Sequence, residues 1–220
     1  MLELRNASYA KAGRRIVADV DIRICEQEFT LIVGGNGSGK TSLLNLLSGH
    51  SRLNAGGRYL QGADVTTWDT ARLSRRGVAR LMQRSAILPS RSALENVVIL
   101  NTEEWWRGWP SMTAMPNARR ALAKSLLNEL DYPFDVDHTV PGTPFAVRIV
   151  EFARALTLSP KVLILDEPMA GMEAESRKHI LRIMSLVRAR GTAIVLVEHR
   201  VDEALALADT VLTMDDGRLI

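Results

Sequence analysis

An α/β fold is predicted: a core of buried parallel strands, a smaller antiparallel β-layer and an inserted α-helical lobe. Three observations predict it. Short apolar runs at 29–33, 161–165 and 193–197 read as strands buried on both faces. Ile180, Ile183, Met184 and Val187 stand at i, i+3, i+4 and i+7, the apolar face of a helix between two of those strands. From about residue 84 to 156 strand signals fade and prolines gather at 89, 110, 116, 133, 141 and 144, while helical patches dominate.

Taken in order, residues 2–7 and 20–24 alternate as strands, joined through the basic turn Lys11-Ala-Gly-Arg-Arg15. The buried strand 29–33 follows, and 42–47 (Ser-Leu-Leu-Asn-Leu-Leu) opens a buried helix. Residues 58–60 precede a Gln61-Gly62 turn and add to the antiparallel layer. A short helix is expected over 70–76, and a strand over 77–82 leads into Gln83. Inside the lobe, Ala118, Leu122, Leu126 and Leu130 recur every fourth residue, which predicts an amphipathic helix. Residues 210–220 close the chain as a hairpin turned at Asp216-Gly217. There is no internal repeat, low-complexity tract or linker. A single domain is expected over 1–220: the α/β core and β-layer from 1–83 and 157–220, the lobe from 84–156.

Composition bounds the answer without deciding it. Apolar residues make up 46% and charged residues 24% of the 220, ordinary values for a globular chain with a sizeable core. The net charge is only +3, and no dense Lys/Arg cluster points to nucleic acid. Arg72, Arg75 and Arg76 read as a solvated helix face. Cys25 is the single cysteine, which excludes a disulfide framework and a cysteine-based metal site. No apolar run approaches the ~20 residues that span a bilayer. The opening Met1-Leu-Glu-Leu-Arg5 does not read as a secretory signal. Any action at a membrane is expected to run through a partner.

Gly34-Gly-Asn-Gly-Ser-Gly-Lys-Thr41 fits G-x-x-x-x-G-K-[ST] without a mismatch, between a predicted strand and a predicted helix. Glycines let successive N–H groups turn toward one anion, and the helix N-terminus adds partial positive charge. The expected phosphate-contacting set is Gly34, Gly35, Asn36, Gly37, Ser38, Gly39, Lys40, Thr41 and Ser42. Lys40 would reach the β- and γ-phosphates of ATP, and the Thr41 hydroxyl would ligate Mg2+. The fold class is therefore α/β of the P-loop NTPase (RecA-like) kind. Val162-Leu-Ile-Leu-Asp-Glu167 delivers two carboxylates at the end of a wholly apolar strand. Asp166 fits support of Mg2+, and Glu167 fits a base for the attacking water.

Leu165-Asp-Glu-Pro-Met-Ala-Gly171 resembles the Walker B and D-loop segment of ABC-type ATPases. The phosphate loop, Gln83 at a strand end, His199 after strand 193–197, and the closing Ala206-Leu-Ala-Asp209 and Asp216-Gly217 match that family in order. The resemblance implies that Gln83 serves as Q-loop and metal contact, and that His199 senses the γ-phosphate. Lys11 stands at the position of the aromatic residue that stacks on adenine, with Tyr9 as a substitute two residues earlier.

The family pairs two such domains head to tail, each nucleotide held between one phosphate loop and the partner's L-S-G-G-Q signature. Here that position reads Gly142-Thr-Pro-Phe-Ala146. Thr143 keeps a hydroxyl, but Pro144 has no N–H and Phe145 obstructs close backbone approach. In the D-loop, Glu173 replaces the usual aspartate. This asymmetry implies a non-identical ATPase partner whose own signature is intact; a poorly hydrolysing homodimer is the competing reading.

Gly62-Ala-Asp-Val-Thr66, Arg75-Arg-Gly-Val-Ala79, Leu94-Glu-Asn-Val97 and Val197-Glu-His199 resemble the ATPases of importers for branched-chain amino acids and urea; lipopolysaccharide exporters share parts of them. Transmembrane permease subunits, and for an importer a solute-binding protein, are the implied partners, at the cytoplasmic face of the cell membrane. Trp105, Trp106 and Trp109 read equally well as a docking surface for the permease or as packing within the lobe. The alternative function is an ABC-type regulatory ATPase with little hydrolysis and no membrane partner.

Overall fold

The computed structural model describes residues 1–83, 87–99, 117–198 and 202–220. The chain forms two compact units. One comprises Met1–Arg80, Pro160–Pro168 and Leu181–Ile220; the other comprises Leu81–Ser159 and Met169–Ile180.

The first unit opens on a long hairpin, β1 (Leu2–Lys11) against β2 (Arg14–Ile24). The pairing register runs from Leu2 opposite Ile24 to Lys11 opposite Arg14. The strands are longer than the alternation predicts because the turn is only two residues. Ala12 (φ 49°) and Gly13 (φ 77°) both take positive φ, the turn geometry whose twist matches that of antiparallel strands. Next come β3 (Phe29–Val33), α1 (Lys40–Leu47), β4 (Ala55–Leu60), β5 (Ala63–Asp64), α2 (Thr70–Arg75) and β6 (Val78–Leu81). β1, β2, β4 and β5 form the antiparallel layer in the order β2-β1-β4-β5.

The second unit holds α3 (Ala93–Val98), α4 (Asn117–Glu129) and α5 (Pro144–Leu156), which pack on one another. Arg154 of α5 ties this cluster together. Its guanidinium donates to the backbone carbonyl of Asn96 (2.7 Å) and to the Asn96 side-chain oxygen (3.0 Å), all of it buried. On α4 the buried face is Ala123, Leu126 and Leu127, continued by Leu130, whereas Leu122 is 45% exposed. The expected every-fourth-residue stripe therefore holds only at its C-terminal end. Steps of four drift about 40° around a 3.6-residue helix, so four in a row cannot share one face.

The chain then supplies β7 (Val162–Asp166), α6 (Ala174–Ala189), β8 (Ala193–Val197), α7 (Asp202–Leu205), β9 (Thr210–Asp215) and β10 (Arg218–Leu219). The main sheet runs β10-β9-β3-β8-β7-β6. β3 is parallel to both β8 and β9, and β7 is parallel to β8. Every residue of β7 and β8 is buried, as their unbroken apolar runs require. Ile180, Ile183, Met184 and Val187 are fully buried, the face of α6 that the sequence marks. Register places the C-terminal ends of β3 and β7 side by side across β8: Ile32 and Asp166 both pair with Val197. That alignment brings the loop after β3 to the carboxylates after β7.

Candidate functional site

The loop between β3 and α1 holds two glycines that cannot be replaced freely, Gly34 and Gly39. Gly34 has φ 151°, and a Cβ there would fall 2.2 Å from the Met214 carbonyl oxygen. Gly39 has φ 105°, and a Cβ there would fall 2.6 Å from the Ile16 carbonyl oxygen. Gly39 is also the N-cap of α1, with no side chain capping the helix, so first-turn N–H groups are left for something outside it. That end of α1 opens on a cavity of about 380 Å³ lined by Asn36, Gly37, Gly39, Lys40, Thr41, Ser42 and Glu167. Its remaining wall is Arg14, Arg15, Ile16, Asp216 and Gly217. An uncapped helix N-terminus and lysine on one cavity form an anion receptor, and the volume suits a small ligand.

Lys40 is buried, and its Nζ donates to the carbonyls of Gly34 and Gly35 at 2.8 Å each. Gly34, Gly35 and Ser38 themselves do not line the cavity. The Ser38 hydroxyl is buried without a hydrogen-bond partner among the described residues, while its carbonyl accepts from Gly217 N–H at 2.9 Å. That last bond joins the phosphate loop to the turn between β9 and β10.

Thr41 Oγ1 and Asp166 Oδ1 lie 3.5 Å apart. Asp166 is 3% exposed. Its second oxygen accepts from Arg80 Nη2 at 2.8 Å, so this buried carboxylate is paired. Burial pushes the Arg80 guanidinium below its usual range, and Asp166 works against that shift. The donor set fits Mg2+. A hydroxyl and a carboxylate are hard oxygen ligands, and Mg2+ commonly takes one or two from protein and the rest from phosphate and water. Among the described residues, no group of three or more His, Cys, Asp or Glu offers an all-protein cage.

Glu167 diverges from Asp166 because its backbone is left-handed, φ 49°, held by its N–H donating to the Val197 carbonyl at 2.9 Å. A non-glycine residue there stores about 1–3 kcal/mol of strain. The result is one carboxylate buried at the strand end and the next on the cavity wall.

Other predicted positions fall elsewhere. Tyr9 packs against the core cluster of the first unit and does not line the cavity. Arg14 and Arg15, which the sequence marks only as part of a basic turn, form the wall on that side with Ile16. Gln83 is exposed, two residues beyond β6, within the second unit. His199, Trp105, Trp106 and Trp109 lie outside the described residues. The signature segment enters α5: Thr143 is its N-cap, with Oγ1 accepting from Ala146 N–H at 3.3 Å, and Pro144 is its first residue. Phe145 meets the His179 ring edge-on, centroids 5.1 Å apart. Arg80 was legible only as one residue of a strand, since nothing in spacing marks a cation that will meet Asp166 86 residues later.

A glycine loop feeding an uncapped helix, a buried carboxylate opposite the loop threonine and a parallel sheet define a P-loop nucleotide-binding cassette. Residues 17–170 match the family model described as ABC transporter, and the chain belongs to that family as an ATP-binding domain. It is 31% identical to ribose import ATP-binding protein RbsA 2 of Rhizobium meliloti (strain 1021), across 100% of this chain and 42% of that protein. It is 32% identical to lipopolysaccharide export system ATP-binding protein LptB of Acidithiobacillus ferridurans, across 100% of this chain and 90% of that one. The chain thus spans less than half the length of the ribose-import relative. Among solved structures, a nucleotide-free ATP-binding cassette from an ABC transporter and the ADP conformation of the cassette MJ1267 each superpose with TM-score 0.90. Each is 26% identical, across 100% of this chain and 89% of that one. The fold is that of ABC ATPase cassettes. Among the described residues no helix is long and apolar enough to cross a membrane.

Proposed function

We propose that this chain binds and hydrolyses ATP to power transport through separate permease subunits at the cytoplasmic face of the membrane. The observation that carries the reading is the convergence of Lys40, Thr41 and Glu167 on one cavity, with Asp166 3.5 Å from Thr41. Lys40 and the first-turn N–H groups of α1 would hold phosphate oxygens. Thr41 and Asp166 would hold Mg2+, which neutralises charge on those oxygens. A water oxygen bonds to the γ-phosphorus, the bond from that phosphorus to the bridging oxygen breaks, and Glu167 accepts the water's proton. His199 and Gln83 are proposed as γ-phosphate sensors, Gln83 also as a metal contact.

The paired subunit is proposed to be a different ATPase. Pro144 offers no N–H, and Phe145 packs on His179. These features support a weak donor half-site beside an intact acceptor half-site. The segments at 62–66, 75–79 and 94–97 support an importer of the branched-chain amino acid and urea kind, with its solute-binding protein. The relatives named above are for ribose import and lipopolysaccharide export, and the transported solute is chosen by other subunits.

The test is Glu167→Gln in the complex purified from detergent-solubilised membranes. ATP binding is expected to persist while turnover falls by a factor of about 100 or more. Unchanged turnover would overturn the assignment. Strong cooperative hydrolysis by the purified chain alone would remove the second subunit.

A further inference from the structure

Asp166 is not left to find its own orientation. On one side its Oδ2 accepts from Arg80 Nη2 at 2.8 Å; on the other its Oδ1 faces Thr41 Oγ1 at 3.5 Å. Arg80 Nη1 in turn donates to Asn45 Oδ1 at 2.6 Å and to Ser48 Oγ at 3.0 Å. Asn45 lies on α1, and Ser48 is its C-cap. The Arg80 side chain is only 2% exposed and that of Asp166 only 4%, so water does not compete for these bonds. Arg80 Nε is buried without a partner among the described residues, which leaves the three Nη bonds to hold the guanidinium.

We propose that Arg80 is a positioning residue for metal-dependent nucleotide binding: it clamps Asp166 to α1 so that Oδ1 stays opposite Thr41. This rests on the nucleotide-site reading above and adds a residue to it. The reason is torsional. The last side-chain torsion of an aspartate lies in a broad well, so a carboxylate by itself does not hold its plane at one angle. A guanidinium is planar and permanently charged, with donors in a fixed fork. Held at Asn45 and Ser48, that fork fixes the plane of the Asp166 carboxylate, with one oxygen on Arg80 and the other turned to Thr41. Both Thr41 and the two anchors sit on or next to α1, so the clamp moves with the phosphate loop's own helix. Lysine could neutralise Asp166 but could not hold the same fork to Asn45 and Ser48.

The test is the dissociation constant of a fluorescent ATP analogue, measured on the full chain in EDTA and again in excess Mg2+. The quantity that decides is the ratio of the two. Arg80→Met is expected to cut that ratio about tenfold or more, with EDTA binding within about twofold of wild type. Arg80→Lys should fall between them. If Arg80→Met does not fold, the double variant Asn45→Ala, Ser48→Ala cuts the anchors while leaving the ion pair. It should lower the ratio about two- to fivefold. An unchanged ratio, or equal losses with and without metal, would overturn the proposal, because the latter marks a purely structural role. If wild type binds no nucleotide under either condition, the site reading itself falls, and this inference with it.

Discussion

Arg58 Nη1 donates to the Leu46 carbonyl at 2.6 Å, at the end of α1 opposite the phosphate loop. Arg58 is 1% exposed, and its Nη2 also reaches the carbonyls of Val65 (3.2 Å), Thr66 (3.3 Å) and Trp68. The last carbonyls of a helix lack partners within it, and positive charge is favoured there. Arg58 therefore closes α1 and fastens it to the 65–68 turn. Burial pushes its guanidinium below the usual range, yet a guanidinium stays charged. Arg58→Met should lose about 3 kcal/mol in urea unfolding, because several buried carbonyls lose their donor together. Arg58→Lys should recover little of it.

The two ends of the phosphate loop should respond differently to an added methyl. Gly39→Ala meets both a positive φ and the Ile16 carbonyl, so it should lower stability by about 1–3 kcal/mol and weaken nucleotide binding about tenfold or more. At Gly35 a Cβ meets nothing within 4 Å and φ is not positive. Gly35→Ala should stay within about 0.5 kcal/mol of wild type when both variants are followed by thermal melts.

A pH dependence is expected from the second unit. Ser92 and Glu95 form a reciprocal cap on α3: Glu95 N–H donates to Ser92 Oγ (3.1 Å) and Ser92 N–H to Glu95 Oε2 (2.6 Å). Arg91 adds an ion pair to Glu95 at 3.0 Å. Burial alone would raise the Glu95 pKa, but the Ser92 N–H and the Arg91 charge outweigh it and leave it below 4.5. A carboxyl with a depressed folded-state pKa stabilises the fold above its unfolded value and loses that contribution as pH falls through the folded one. Glu95→Gln should therefore cost about 1 kcal/mol near pH 7. The gap to wild type should close below pH 4.5. A gap that is constant with pH would show that the charge of Glu95 contributes nothing.

Much of the site was legible because P-loop chemistry uses contiguous residues. Lys40 and Thr41 follow a glycine loop within one motif, and Asp166 and Glu167 end one apolar strand, so spacing alone marks them. The turn at Asp216-Gly217 was equally plain, but not that Gly217 would donate to Ser38 and wall the cavity. Leu122 leaves the buried face of α4 because the helix turns every 3.6 residues and not every four. Tyr9 has a ring that could stack on adenine, but the structure packs that ring against the core.

By itself the sequence determined the motif, the order of the parallel core strands along the chain, and the family to which they belong. These depend on local residue type and on short periodicities, which survive without knowledge of distant neighbours. Only the tertiary structure decided which cation would meet Asp166, which face of α4 would be buried and which residues would wall the cavity opposite Lys40. Arg80 and Asp166 stand on β6 and β7, neighbours in the sheet order but far apart along the chain. A pairing of that kind is set by sheet topology and register, and no spacing in the chain encodes it.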